Sequence, residues 1–101
     1  MQTSLEIEAM RESASSIVNV LESLANTDRL IILCHLAKQE LNVFQIEEQT
    51  QIFQPTLSQQ LMMLRKSKVV STRREGKQIF YSISDPKLQV VLTTLYENYC
   101  Q

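Results

Sequence analysis

The feature that most constrains this 101-residue chain is a helical pattern that runs directly into two strand patterns. Three leucines at spacings of four and three predict an amphipathic helix with one buried face, namely Leu57, Leu61 and Leu64. β-branched and aromatic residues then predict one strand over residues 69–73 and another over residues 78–83, joined by a turn at Glu75-Gly76. This order of elements is typical of a winged helix-turn-helix domain.

The rest of the chain is predicted to be helical, because one glycine and two prolines leave room for few irregular loops. A first helix is predicted from Leu5 to Leu24, and its apolar residues alternate spacings of three and four along one narrow seam. That seam is compatible with packing inside one protomer and with pairing of two chains. The fold class is therefore mainly α with a two-stranded β-hairpin, in one domain spanning residues 1–101.

Capping residues predict where the other helices begin. Thr27 is a candidate N-cap for a second helix, and Asn42 with Gln45 suggests a capping box for a third. Pro55 suits the first position of the fourth helix, and Asp85-Pro86 opens the last one. The buried face of the second helix is predicted to comprise Leu30, Ile31, Leu33, Cys34 and Ala37.

Charge is distributed unevenly along the chain, although the formal net charge is only −1. Residues 1–53 contain three basic residues against eight acidic ones, whereas residues 54–78 contain six basic residues against one glutamate. A local field matters more than the total for attracting a polyanion. The fourth helix and the hairpin are therefore predicted to bind double-stranded DNA.

Individual residues in this basic segment suit different parts of DNA. Glutamine can match the donor and acceptor of adenine, and serine and threonine are short and adaptable, which indicates base contacts or nearby contacts by Gln54, Thr56, Ser58, Gln59 and Gln60. Basic side chains are predicted to bind phosphates or the minor groove, namely Arg65, Arg73, Arg74 and Lys77. An exposed polar helix with a solvated hairpin would explain each residue singly, but not their joint order.

Three blocks of this sequence resemble the ArsR/SmtB family of bacterial repressors: residues 26–33, residues 54–65 and residues 73–81. The resemblance implies a homodimer formed through the first and last helices, which binds a promoter palindrome and releases it when an inducer binds. Ser67-Lys68 departs from the small residue and glycine that usually end the fourth helix in the family.

The metal sites known in that family are not reproduced here. Asn42 and Phe44 occupy the two thiolate positions of one site, and neither can hold a soft metal. The second site uses Asp and His on the last helix, whereas this chain has Asp85 but no histidine after it. We therefore expect no metal and no cofactor.

Two cysteines remain, Cys34 in the second helix and Cys100 near the end of the last. Taken alone, Cys34 would be a small core hydrophobe and Cys100 an incidental residue. The pair resembles the BigR/SqrR branch of the family, which implies that a disulfide or a short polysulfide bridge joins the thiols. The predicted function is thus a dithiol repressor that persulfide, polysulfide or an oxidant releases from its operator, derepressing sulfide-detoxification genes.

The sequence leaves two alternative functions open and argues against a third. A metal-responsive repressor could use Cys34, His35 and Cys100, although His35 is expected to face solvent or to cap. A winged-helix interaction module without DNA binding would dock through the acidic first half of the chain. Enzymatic activity is not predicted, because the chain has neither a Cys-x-x-Cys motif nor a glycine-rich loop. A cytoplasmic location is expected, since no apolar run approaches a membrane span.

Overall fold

The computed structural model describes residues 3–100, which form five helices and a small antiparallel sheet. The helices are α1 (Ser4–Leu24), α2 (Thr27–Lys38), α3 (Val43–Thr50), α4 (Thr56–Lys66) and α5 (Pro86–Tyr99). The strands are β1 (Leu41–Asn42), β2 (Val70–Glu75) and β3 (Gln78–Ile83), in the order β1-β3-β2. The predicted winged helix-turn-helix fold is confirmed, and β1 is an additional strand that the sequence patterns did not predict.

Capping interactions explain where the helices begin. Asn42 and Gln45 form the predicted capping box of α3, and the Asp85 carboxylate accepts the backbone N–H of Lys87 at the start of α5. The predicted cap of α2 is wrong by one residue, because Asn26, not Thr27, accepts the Arg29 N–H. Pro55 is likewise the N-cap of α4 rather than its first helical residue.

The core surrounds α2, and α4 contributes the three predicted leucines, all of which are buried. The buried face predicted for α2 is partly wrong. Ile32 and Leu36 are buried, whereas Ile31 is 37% exposed. The reason is that apolar residues follow one another without interruption from Leu30 to Leu33, so the helical period alone does not define which side faces inward.

The hairpin differs from prediction by one or two residues. Glu75 pairs with Gln78, so the two-residue loop is Gly76-Lys77 rather than Glu75-Gly76, and Gly76 adopts a φ of 63°. Strand β2 begins at Val70 and extends to Glu75. A glycine suits this loop because left-handed backbone geometry is unfavourable for residues with a Cβ.

The end of α4 places a lysine in a left-handed conformation. Lys68 has a φ of 62°, its N–H donates to the Arg65 carbonyl, and the Val69 N–H donates to the Leu64 carbonyl. This pair of bonds is a Schellman motif, in which the left-handed residue is usually glycine. Lys68 therefore occupies a strained position.

The helix α1 leaves most of its apolar residues in solvent. Only its last turns pack on the core, through Val20 and Leu24. The remaining residues form an exposed stripe, here called the apolar seam: Ile7, Met10, Ile17 and Leu21, each more than half exposed. Helix α5 also exposes Val90, Val91 and Tyr99. Within residues 3–100, no helix combines the length and the apolar character that crossing a bilayer requires.

Candidate nucleic-acid interface and thiol pair

The outer face of α4 carries both polar and apolar side chains. Gln59 and Ser58 are exposed, and Met62 and Met63 are 62% and 46% exposed. Thr56, at the start of the helix, is half-buried. Because the three leucines occupy the opposite side, this face is the part of α4 that another molecule can reach.

The start of α4 is held by an amide. Gln54 Oε1 accepts the Ser58 backbone N–H at 3.0 Å and the Ser58 hydroxyl at 2.7 Å. Pro55, the N-cap, makes no such bond with its side chain. Gln54 therefore replaces the missing cap, and Ser58 must give up this hydroxyl bond if it is to donate to a base.

Gln60 lies away from the outer face and joins an internal network. Its Oε1 accepts from Arg29 Nη1 at 3.1 Å, and Gln60 is half-buried. The same guanidinium donates to the carbonyls of Ser23 (2.8 Å) and Glu22 (3.2 Å) at the end of α1. Arg29 thus links α1 to α4, a role that its sequence position did not reveal.

The wing is the hairpin formed by β2 and β3. It carries three of the four basic residues predicted to bind DNA, and their environments differ. Arg73 forms ion pairs with Glu40 and Glu75, both at 2.7 Å, and lies over the Phe80 ring. The hydrogen bonds that Arg73 donates to Glu40 and, with a smaller effect, to Glu75 raise the pKa of Arg73 above its ordinary value.

The other two wing cations lie towards the tip of the hairpin. Arg74 Nε donates to the Gly76 carbonyl at 3.1 Å, and Lys77 lies in the loop. Neither of them is in an ion pair with a carboxylate among residues 3–100, so they are more available to an anion than Arg73 is.

A concavity of about 620 Å³ lies between α4 and the sheet. It is lined by Val43, Ser58, Leu61, Met62, Arg65, Lys66 and Tyr81. The exposed polar and basic groups of α4 and of the wing tip are together called the basic surface: Ser58, Gln59, Arg65, Lys66, Arg74 and Lys77. It includes five of the nine predicted DNA-binding residues: Ser58, Gln59, Arg65, Arg74 and Lys77. Gln54 and Thr56 lie at the start of α4, Gln60 bonds Arg29, and Arg73 is exposed but paired with Glu40 and Glu75.

The two cysteines line one cavity between α2 and α5. Cys34 is half-buried and Cys100 is exposed directly after α5. The cavity has a volume of about 310 Å³ and is lined by Leu30, Ile31, Cys34, His35, Leu95, Tyr96, Tyr99 and Cys100. Apart from the thiols, the histidine and two phenols, this lining is aliphatic.

The environment of Cys34 disfavours its thiolate. Burial raises the pKa of Cys34, negative charge on Cys100 acts in the same direction, and Lys38 opposes both. Lys38 also lies near the cavity, with its Nζ 4.0 Å from the centroid of the Tyr96 ring. Cys100 is the more exposed of the two thiols.

His35, in the last turn of α2, lies at the edge of the same cavity and is half-buried. Its Nδ1 is 3.3 Å from Gln49 Oε1. Over the described part of the chain, no three His, Cys, Asp or Glu side chains are grouped so that they could hold a metal ion. A site built from Cys34, His35 and Cys100 therefore has no support in this arrangement.

The fold, the outward face of α4 and the basic wing define a winged helix-turn-helix transcriptional regulator. A model of the arsR family of bacterial regulatory proteins matches residues 26–72, and the chain belongs to that family. It is 42% identical over 93 residues to the biofilm growth-associated repressor of Xylella fastidiosa (strain Temecula1), which covers 92% of this chain and 82% of that protein. These relatives are regulators of transcription and not enzymes.

Two solved structures have the same fold. Reduced HlyU from Vibrio cholerae N16961 matches with a TM-score of 0.85 and 34% identity, over 93% of this chain and 99% of that one. A homodimeric winged helix-turn-helix DNA-binding domain from Mycobacterium bovis matches with a TM-score of 0.73 and 28% identity, over 93% and 83% of the two chains.

Proposed function

We propose that this protein is a homodimeric transcriptional repressor that binds operator DNA and releases it when Cys34 and Cys100 become linked. The inducer is a persulfide or polysulfide, and the genes that the repressor controls detoxify sulfide. The observation that carries the proposal is the single cavity that both cysteines line. The relative named a biofilm growth-associated repressor supports repression as the mode of action.

The chemistry begins at the exposed thiol and ends at the half-buried one. The Cys100 thiolate attacks the sulfane sulfur of a persulfide RSSH, which forms a Cys100 persulfide and expels the thiol RSH. Cys34 then attacks the Cys100 sulfur and expels hydrogen sulfide. In sum, two thiols and one RSSH give one disulfide, RSH and H₂S; a second RSSH in the sequence gives a trisulfide, two RSH and H₂S.

Linking the thiols would pull α5 and α2 together at the cavity. The other end of the α2–α5 contact is held by Gln89 Nε2, which donates to the Ala37 carbonyl at 2.7 Å. Arg29 near the start of α2 contacts Gln60 of α4. A shift of α2 would therefore reach the helix that binds DNA, and a change in operator affinity of about 1.4 kcal/mol is already tenfold.

The basic surface would supply the DNA contacts. Ser58 and Gln59 would contact base edges in the major groove, with Gln54 and Thr56 at the helix start, while Arg65, Arg74 and Lys77 bind phosphates. Gln60 supports α4 through Arg29, and Arg73 must exchange its carboxylates for a phosphate before it can contribute. The apolar seam of α1 and the exposed residues of α5 would pair two protomers, as expected for apolar surface of this extent.

The proposal is tested with two single variants, Cys34→Ser and Cys100→Ser, compared with the wild type in an operator-binding assay before and after treatment with polysulfide. Both reduced variants are expected to bind DNA as the wild type does, and neither is expected to release it. Intact mass spectrometry after persulfide and, separately, peroxide treatment reports the bridge that each reagent forms. A trisulfide after persulfide treatment identifies reactive sulfur as its source, because peroxide cannot add sulfur atoms. Normal release by either variant would rule out the bridge as the switch.

A further inference from the structure

The side chain of Met62 is an apolar group on an otherwise polar and basic surface. It is 62% exposed, whereas its neighbour Leu61 is 3% exposed. Met62 is one helical turn beyond Ser58 and lines the same concavity as Ser58, Arg65 and Lys66. Exposure leaves its thioether free to contact a molecule bound in that concavity.

The surroundings of Met62 indicate the chemistry of that partner. Two cations beside it repel a basic protein surface and attract a polyanion. The edges of the bases in the major groove carry donors, acceptors and one apolar group, the C5-methyl of thymine. We propose that Met62 contacts a thymine methyl in each half-site and so makes that thymine a determinant of operator choice.

The inference rests on the proposed function, because it requires α4 to enter the major groove. It assigns a role in recognising the operator sequence to Met62, whose side chain cannot form a strong hydrogen bond. Gln59, three residues earlier, would read an adjacent base by hydrogen bonding, and Met62 would read the methyl group by van der Waals contact. The thymine that Met62 selects therefore differs from the base that Gln59 selects.

Met63 provides a matched control in the same helix. It is also an exposed methionine, at 46%, but it lies on the other side of the outer face and does not line the concavity. Its replacement by alanine removes the same atoms and has the same effect on helix propensity. A difference between the two variants therefore reports position and not composition.

The test uses duplexes that the reduced wild-type protein selects from a random DNA library. Each symmetric pair of thymines is replaced by deoxyuridine, which removes only the methyl groups, and affinity is measured by fluorescence anisotropy at fixed salt. One pair is expected to matter, and its loss should weaken binding roughly fourfold per methyl, or about 15-fold for the pair. Phosphate contacts are identical in both duplexes and cancel.

The variants decide whether Met62 makes the contact. Met62→Ala should bind the thymine and deoxyuridine duplexes with equal affinity. Met63→Ala should keep the wild-type difference in affinity between the two duplexes, and Met62→Leu should keep part of it. Equal wild-type binding to both duplexes at every position would overturn the inference alone. The inference would also fail if Met62→Ala kept the whole wild-type difference in affinity between the thymine and deoxyuridine duplexes. Failure to select any duplex would overturn the proposed DNA binding, and this inference with it.

Discussion

The apolar seam of α1 and the basic surface of α4 and the wing are both exposed. They differ in the free energy that exposure to water costs. The basic surface is well hydrated, so it is stable in water until a polyanion displaces its ions. The apolar seam has no comparable hydration, and each of its four residues is more than half exposed in the protomer. The difference indicates a constant partner for the seam and a reversible one for the basic surface.

The largest expected effect comes from placing a charge in the apolar seam. Ile17→Glu should dissociate the dimer, and operator affinity should fall on the order of 1,000-fold because two linked modules bind far more tightly than one. Sedimentation and operator titration measure the two effects. Asn19→Glu adds the same charge on the opposite side of α1 and should change neither; a monomeric Ile17→Glu that binds DNA normally would break the comparison.

The next effect concerns the thiol that the apolar surroundings protect. Burial raises the pKa of Cys34, so little of this residue is thiolate at neutral pH. Its thiolate fraction is expected to keep growing at pH values where that of an ordinary cysteine levels off. In the Cys100→Ser background, burial still raises the pKa of Cys34, so its alkylation should accelerate between pH 7 and 9 by more than the roughly 25-fold expected for a free cysteine with a pKa near 8.5. Mass spectrometry gives the rates, and a plateau below pH 8.5 would contradict a buried, neutral thiol.

A smaller effect is expected from one cation of the basic surface. Arg74→Ala should weaken binding to all DNA sequences roughly tenfold at 0.1 M salt, and the slope of log affinity against log salt should fall by about two for a dimer. Lys87→Ala removes the same charge from α5, outside the basic surface, and should leave the slope unchanged. If both variants have the wild-type slope, Arg74 does not contact phosphate.

The smallest effect concerns fold stability at Lys68, where α4 and its part of the basic surface end. Lys68→Gly relieves a left-handed backbone at the end of α4 and should stabilise the fold by about 1 kcal/mol. Gln59→Gly, in the interior of α4, should instead destabilise it by a similar amount. Thermal unfolding at one fixed protein concentration compares them, and a lower melting temperature for Lys68→Gly would contradict the assigned strain.

Sequence patterns predicted those parts of the fold in which local chemistry has one outcome. The capping box of Asn42 and Gln45 and the leucine face of α4 are examples, because their spacing specifies a single geometry. Asn26 and Thr27 can both cap a helix, so the choice between them depended on the tertiary structure. Strand β1 has only two residues, too few for a period to be visible.

The candidate sites were predictable by residue type but not by contact. Glutamine, serine and arginine in the basic segment indicated DNA, yet nothing in the sequence indicated that Glu40 holds Arg73, 33 residues away. The role of Arg29 was hidden for the same reason, since its partners come from two helices. Exposure of Met62 also required the structure, because Met62 and Met63 are adjacent and either could have faced inward.

The bond between Arg29 and Gln60 limits how this protein can be engineered. If α4 reads the operator as proposed, exposed residues such as Gln59 and Met62 can be exchanged to redirect the protein to a new promoter, because no packing contact holds them. Position 60 cannot, because a side chain without an acceptor there would leave a half-buried guanidinium group short of a partner. A transplanted helix from a relative should therefore be accepted only when it brings a carbonyl or carboxylate oxygen to that position.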